Sequence, residues 1–173
     1  MKKYLITSNA LCEELLIKHS PSYALYRDKT NLDYKTQAES FVHMCNKFES
    51  TKSFIHQDMN LAKELNATGV HLTSQQFDSI EDAKQLGIEV IVSTHTYEEV
   101  LKAQKLGADA VTYSPIFESP NKGEPKGVKD LENLLKVCDI KVFALGGIID
   151  ELHVAMLDKT EVYGFASIRY FMN

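Results

Sequence analysis

The sequence predicts a compact (β/α)8 TIM barrel with short helices. Strand-like runs and helix-like stretches alternate along the whole chain and recur about every twenty residues. Strict alternation of this kind favours parallel strands joined by helical crossovers. The strand-like runs are nearly unbroken in apolar residues, as in "VIV" at 90–92, which is typical of strands buried on both faces. Eight such runs match a closed barrel better than an open sheet.

Length and composition indicate one domain. The chain has 173 residues, of which 44% are hydrophobic and 25% are charged, as expected for a single globular domain. We therefore assign residues 1–173 to one barrel. The fold typically takes about 250 residues, so the helices must be short. Because the sequence stops soon after the eighth strand-like run, we expect the last helix to be missing or rudimentary.

The predicted strands are short segments enriched in β-branched and aromatic residues and bounded by polar or turn-forming residues. In chain order they cover 3–7, 22–27, 52–56, 68–72, 87–93, 108–113, 140–145 and 161–166. Their carboxyl ends meet at one end of the barrel, where barrel enzymes place their chemistry. Side chains that follow the strands are therefore the first candidates for a functional site.

The predicted helices lie between these strands, because their apolar residues recur at i, i+3 and i+4. They cover 11–19, 33–48, 59–67, 77–86, 96–107, 128–137 and 149–158. Thr96 and Glu99 form a T-x-x-E capping box at the start of the fifth helix. Gly107 stands where a helix commonly ends in a left-handed glycine.

Charge and hydropathy exclude several classes of protein. The formal net charge is −5, which argues against a sequence-independent nucleic-acid surface. No apolar stretch reaches the roughly 18 to 20 residues of a membrane span, and the first ten residues lack the apolar region of a signal peptide. The three cysteines are odd in number and far apart, so no disulfide framework is expected. These observations predict a cytoplasmic protein.

Polar and cationic side chains follow several predicted strands. Arg27 and Lys29 follow the second strand, and His56 ends the third. Ser93 and His95 follow the fifth. We predict that these side chains share the functional face of the barrel, with His56 as a substrate-binding candidate. His95 stands just before a helix, so helix capping is an equally weighted interpretation.

The loops after the last two strands predict a phosphate site. "ALGGI" at 144–148 follows the seventh strand, and "FASI" at 165–168 follows the eighth. Glycine amides at such a position can bind phosphate oxygens. The candidate residues are Gly146, Gly147, Ala166 and Ser167. The alternative is that the two glycines only allow a tight turn.

The stretch "TYSPIFESPNKGEPKG" at 112–127 is a long irregular loop after the sixth strand. It contains Lys122 and Lys126. A lysine on a mobile surface loop is usually only a solvated charge. Above a phosphate site, however, a loop lysine can close on an anionic ligand and exclude water. We therefore predict that the loop is a lid and that Lys122 is its functional cation.

Three stretches together resemble the thiamin phosphate synthase and thiazole tautomerase (TenI-like) family of (β/α) barrels. They are "GVHL" at 69–72, "VSTHTYEEVLKAQKLGADAVTYSPIFESPNK" at 92–122 and "ALGGI" at 144–148. The resemblance implies that the protein joins hydroxymethylpyrimidine pyrophosphate to thiazole phosphate, releasing pyrophosphate. It also implies a small phosphorylated substrate as the main partner, with neither nucleic acid nor membrane.

The resemblance also implies roles for individual residues. Arg27 and Lys29 would face the pyrimidine and the pyrophosphate, and Ser93 and Lys122 would contact the pyrophosphate. The thiazole phosphate would lie against three further residues, which are Ser119, Gly147 and Ser167.

The sequence departs from the family pattern at four positions. Family synthases hold magnesium with two aspartates, and the aligned residues here are Gln57 and Gln76. A neutral amide is a poor substitute for a carboxylate, so the resemblance implies Mg²⁺ while these residues argue against it. Leu25 replaces a pyrimidine-pocket glutamine, and Pro115 replaces the histidine of the tautomerase branch.

These departures leave alternatives open. One is a diverged, tautomerase-like enzyme in which His56 or His95 carries a proton near neutral pH. Another is a non-catalytic binder of a thiamin-related phosphate. A barrel without its last helix would also expose an apolar strip, so a homodimer is a further possibility.

Overall fold

The computed structural model describes residues 1–173 and forms a closed barrel of parallel strands in the order β1 to β8. The predicted (β/α)8 fold is confirmed. Each strand pairs with its neighbours in sequence, and β1 pairs with β8. The strands are β1 Lys2–Thr7, β2 Tyr23–Tyr26, β3 Lys52–His56, β4 Gly69–Leu72, β5 Glu89–Thr94, β6 Ala110–Tyr113, β7 Lys141–Leu145 and β8 Gly164–Ser167.

Seven short α-helices cover the outside of the barrel, one after each of the first seven strands. They are α1 Glu13–His19, α2 Tyr34–Cys45, α3 Met59–Glu64, α4 Ile80–Gln85, α5 Tyr97–Lys105, α6 Gly127–Leu135 and α7 Glu151–Leu157. A 3₁₀ turn, Phe77–Ser79, precedes α4. After β8 only a 3₁₀ helix follows, Arg169–Met172, in agreement with the expected rudimentary last helix.

The lower half of the barrel interior is filled by aromatic rings. Tyr4, Tyr23, Phe54 and Phe143 pack with ring centroids 5.0 to 5.9 Å apart. All four are at most 5% exposed. Rings of this size leave no central pore, because they fill the space that the eight strands enclose. The open space of the barrel is therefore confined to its carboxyl end.

A second apolar layer lies between the strands and the helices, and α2 makes a large contribution to it. Phe41 and Cys45 of α2 are fully buried. Tyr26 of β2 stacks on Phe41, with centroids 5.6 Å apart. Cys12, Cys45 and Cys138 are free thiols. None of the helices combines the length and the apolarity that crossing a membrane requires.

The long loop after β6, residues 114–126, lies at the carboxyl end of the barrel and rests on the loop after β7. Ile116 N donates to Leu145 O over 2.9 Å, and Phe117 N donates to Gly146 O over 3.0 Å. We call this segment the β6 loop. Its position agrees with the expectation that it covers the functional face, because backbone hydrogen bonds attach it to the predicted phosphate site.

Gly147 packs directly against the β6 loop. A Cβ atom at Gly147 would lie 2.5 Å from Glu118 O and 2.6 Å from the Phe117 carbonyl carbon. The backbone φ of Gly147 is +72°, a conformation that other residues rarely adopt. Glycine is therefore required here for two reasons: the left-handed backbone and the direct packing of the β6 loop.

We expect Gly147→Ala to destabilise the protein more than Gly87→Ala. Gly87 has nearly the same φ, +75°, but its Cβ would meet nothing within 4 Å. Gly87→Ala should therefore show backbone strain alone, about 1 to 2 kcal/mol. Gly147→Ala adds a steric clash and should lose a further 1 to 3 kcal/mol or so. Urea unfolding monitored by circular dichroism measures both, and equal losses would contradict the packing described here.

Candidate active site

A cavity of about 470 Å³ opens at the carboxyl end of the barrel. It brings together nearly all the residues that the sequence predicted for the site. Those that line it are Arg27, Lys29, His56, Ser93, His95, Ser119, Lys122, Gly146, Gly147 and Ser167. The floor is apolar, with Ile6 and Leu25 above the aromatic rings of the interior. Its size is that of a small-molecule site.

The charge of the cavity wall is positive. Arg27 and Lys29 come from the segment after β2, Lys122 comes from the β6 loop, and Arg169 follows β8. No aspartate or glutamate lines this cavity. Four cations without a facing carboxylate raise the local potential and favour an anionic ligand.

A hydrogen-bonded chain runs from the barrel interior to the cavity. Tyr4 Oη lies 2.8 Å from His71 Nδ1, and His71 Nε2 lies 3.0 Å from Ser93 Oγ. The buried Tyr4 hydroxyl has His71 as its hydrogen-bond partner, so we assign Tyr4 as donor to Nδ1. Nε2 then donates to Ser93 Oγ. The Ser93 hydroxyl hydrogen is left free to donate into the cavity.

Burial keeps His71 in the neutral form that this chain needs. His71 is 3% exposed, and desolvation, with smaller contributions from His56 and Arg27, lowers its pKa to about 3. Burial also raises the pKa of the Tyr4 hydroxyl well above its usual value. The structure shows that His71 links the core to Ser93.

The properties of His56 differ from the sequence expectation. Its ring lies 6.4 Å from that of His71. Partial burial, with Arg27 and Lys29 nearby, lowers the pKa of His56 to about 4. A proton carrier near neutral pH would need a pKa closer to 7. His56 is therefore a neutral cavity residue at pH 7.

His95 is exposed and contacts both the β6 loop and the start of α5. Its Nδ1 lies 3.2 Å from both Ser114 O and Ser114 Oγ. A carbonyl only accepts, so Nδ1 carries a proton that it donates to Ser114 O. The predicted cap is confirmed, because Thr96 Oγ1 accepts from Glu99 N over 3.2 Å. The Glu99 carboxylate accepts from His95 N over 2.6 Å, so His95 belongs to the helix start as well as to the cavity.

The two lysines of the β6 loop have different surroundings. Lys122 lines the cavity together with Ser119 and Pro120. The ammonium of Lys126 lies 5.0 Å from the centroid of the Tyr113 ring, and Lys126 N donates to Pro115 O over 2.9 Å. Lys126 therefore fastens the base of the loop, while Lys122 is available to a ligand.

The residues after β8 require a correction. Ala166 does not line the cavity. It is fully buried in β8 within the barrel interior. Ser167 lines the cavity, but its hydroxyl is already used: it donates to Ile148 O over 2.7 Å and accepts from Tyr170 N over 3.1 Å. Ser167 thus holds the final 3₁₀ helix against residues 146–150, the loop after β7, which we call the β7 loop.

The residues at the family's magnesium positions do not fit a magnesium ion. Gln76 Oε1 accepts from Thr73 N at 3.0 Å, and Gln76 Nε2 donates to Gln57 O at 3.2 Å. Neither glutamine lines the cavity. In residues 1–173 no three histidine, cysteine, aspartate or glutamate side chains cluster as metal ligands. Magnesium prefers carboxylate oxygens, and this wall offers none.

Sequence reasoning missed Arg169 as a cavity residue. Arg169 directly follows "FASI", so the rule that side chains after a strand face the carboxyl end could have identified it. Thr73 and Ser74, after β4, are further cavity residues that were not singled out.

Comparison with known proteins identifies the family. The family model described as thiamine monophosphate synthase matches residues 4–171. A putative thiamine-phosphate synthase 2 of Aquifex aeolicus is 35% identical over 122 residues, covering 68% of this chain and 64% of that protein. A thiamine-phosphate synthase of Nitrosococcus oceani is 32% identical over 146 residues, covering 79% of this chain and 66% of that protein.

The chain spans between about half and two thirds of the length of the curated relatives it matches. Among solved structures, a thiamine phosphate pyrophosphorylase from Pyrococcus furiosus superposes with a TM-score of 0.84 at 22% identity, covering 99% of this chain and 90% of that one. At this identity the likeness shows a shared fold. Because the family model extends over nearly the whole sequence, the chain belongs to the thiamine monophosphate synthase family.

Proposed function

We propose that this protein condenses hydroxymethylpyrimidine pyrophosphate with thiazole phosphate to give thiamin phosphate and pyrophosphate. The observation that carries the proposal is the cavity wall, where Arg27, Lys29, Lys122 and Arg169 meet with no facing carboxylate. Membership of the family supports the same reaction. A cytoplasmic location agrees with soluble phosphorylated substrates.

The reaction requires stabilisation of a leaving group. The bond between the pyrimidine methylene carbon and the pyrophosphate oxygen breaks, and its electron pair leaves with the pyrophosphate. The thiazole nitrogen then donates its lone pair to the methylene carbon and becomes positively charged. Negative charge develops on the leaving oxygen, where Arg27, Lys29 and Lys122 of the cavity wall can stabilise it.

Ser93 would act as a neutral donor to the same anion. Its hydroxyl accepts from His71 Nε2, so its hydrogen can point to a pyrophosphate oxygen. Because His71 stays neutral, this orientation does not change between pH 5 and 8. His71 and Tyr4 are thus positioning residues for Ser93.

The β6 loop and the β7 loop would hold the thiazole phosphate. Neither Gly146 N nor Gly147 N donates to another backbone group, so both amides are available as donors to an anion. Ser119 lines the same cavity. Its hydroxyl donates to Phe117 O over 3.4 Å, a long hydrogen bond that a phosphate oxygen could replace. With Ser167 occupied by the β7 loop, phosphate binding falls to the glycine amides and Ser119.

One observation favours a second candidate function. The positions that hold magnesium in family synthases are occupied by Gln57 and Gln76. The side chain of Gln76 accepts from Thr73 N and donates to Gln57 O. A protein that binds thiamin-related phosphates without condensing them would retain the cavity and lose the metal. A tautomerase would have to use His56 or His95, since Pro115 replaces that branch's histidine.

Incubation of the purified protein with both precursors separates these functions. We expect thiamin phosphate and pyrophosphate to form in equal amounts, detected by liquid chromatography, in assays with and without magnesium. Absence of product together with calorimetric binding of thiazole phosphate would reject the synthase and favour the binding protein.

We expect Lys122→Gln to reduce kcat by about 10²- to 10³-fold, the usual effect of removing one donor to developing negative charge. Lys126→Gln is the matched control from the same loop, because the Lys126 ammonium lies on the Tyr113 ring outside the cavity. It should stay within about threefold of the unmodified protein. Equal losses in the two variants would show that Lys122 acts only through loop stability.

Neutral His71 predicts how stability depends on pH. Its pKa in the folded protein is about 3, whereas a histidine in the unfolded chain has a pKa of about 6.5. Between these values the unfolded chain binds the extra proton, so the free energy of unfolding should fall as the pH decreases. The slope from this residue approaches about 1.4 kcal/mol per pH unit.

Urea unfolding at several pH values from 7 to 4 measures this slope. His71→Gln should reduce this slope by the amount that the uptake of one proton on unfolding contributes. His43→Asn, on the exposed side of α2, is the control and should leave the slope as it is. An unchanged slope in His71→Gln would contradict the neutral assignment of His71.

A further inference from the structure

We propose that the cavity binds pyrophosphate through protein side chains alone, without a divalent metal ion, and that Arg169 is one of the cations that make this possible. The inference deepens the proposed function and rests on it, since pyrophosphate is the leaving group of that reaction. It assigns a ligand to Arg169, which the sequence pattern did not single out.

The charge of the wall makes a metal ion unnecessary and unfavourable. A magnesium ion bound with pyrophosphate reduces the charge of the anion, and carboxylates of the protein normally hold that ion in place. Here the wall contributes Arg27, Lys29, Lys122 and Arg169 and no carboxylate. Four cations can balance the charge of pyrophosphate directly, whereas they would repel a divalent cation at the same position.

The nearby acidic residues cannot replace the missing ligands. Asp58 caps α3, because its Oδ1 accepts from Leu61 N over 2.8 Å. Asp78 is exposed in the 3₁₀ turn before α4. Neither residue lines the cavity. A shift in the alignment of one residue at Gln57 or of two residues at Gln76 therefore does not restore a carboxylate to the site.

Arg169 is held in place by its neighbours while its own side chain is free. Ser167 fixes the preceding backbone to Ile148 O, and Tyr170, which follows, donates from its hydroxyl to Glu151 Oε1 over 2.5 Å. The ion pairs of the protein do not include Arg169. A positioned backbone with an unpaired guanidinium is suited to binding an anion through two parallel hydrogen bonds.

The location of Arg169 lets it reach a ligand under the β6 loop. It lines the cavity that Arg27, Lys29 and Lys122 also line, and it lines a second pocket next to the β6 loop as well. Glu118 and Glu124 line that second pocket and not the cavity. Arg169 therefore borders both an acidic pocket and the electropositive cavity, and an anion inside the cavity would attract its guanidinium.

Calorimetric titration of the full chain with inorganic pyrophosphate tests the inference. One series contains EDTA, and the other contains magnesium, with free pyrophosphate corrected for its own complex with the metal. We expect binding in EDTA at least as tight as in magnesium. Arg169→Gln should weaken binding in EDTA by about 10-fold or more, the usual effect of losing a charge-assisted contact, and Arg169→Lys should recover part of the loss.

Lys105→Gln is the matched control. It makes the same change in net charge at the end of α5, which lies at the opposite end of the barrel from the cavity, and it should change the affinity less than twofold. Binding seen only with magnesium, no binding in either series, or equal effects of Arg169→Gln and Lys105→Gln would each overturn the inference. The titration uses pyrophosphate alone and does not depend on the condensation reaction. Failure of that reaction would therefore contradict the proposed function without changing the result of the titration.

Discussion

Closure of the strand ladder between β8 and β1 is the constraint on which the other features depend. Lys2 pairs with Gly164 and Leu5 with Ser167, so the last strand stands next to the first. Closure encloses the aromatic rings and places the loops after β2, β6 and β8 around one opening. Arg27, Lys122 and Arg169 are far apart in sequence and meet only because the ring is complete.

The interior changes from apolar to polar along the barrel axis. Aromatic rings occupy the lower layer, and the Tyr4 hydroxyl begins the polar layer by bonding to His71. A buried polar group without a partner is costly, and this chain of bonds supplies each group with one until Ser93 reaches the cavity. The same desolvation that keeps His71 neutral therefore also maintains a fixed donor at the cavity wall.

The sequence was sufficient to predict the barrel, because buried parallel strands appear as apolar runs between amphipathic helices. Most site residues followed from the strand ends. The failures have local causes. The eighth strand was predicted to end at residue 166 but ends at Ser167. Ala166, which was assigned to the site, is buried in the barrel interior, and Arg169, which was not assigned, belongs to the 3₁₀ helix after the strand. Side-chain contacts, such as that between Tyr4 and His71, require the three-dimensional register.

The packing of the β6 loop on Gly147 has a consequence for how this protein can diverge. Two segments about thirty residues apart in sequence share one surface with no space for a methyl group. A side chain at residue 147 fits only if the β6 loop moves away, so a change at the glycine requires a matching change in the lid. Ligand preference is thereby tied to a pair of loops.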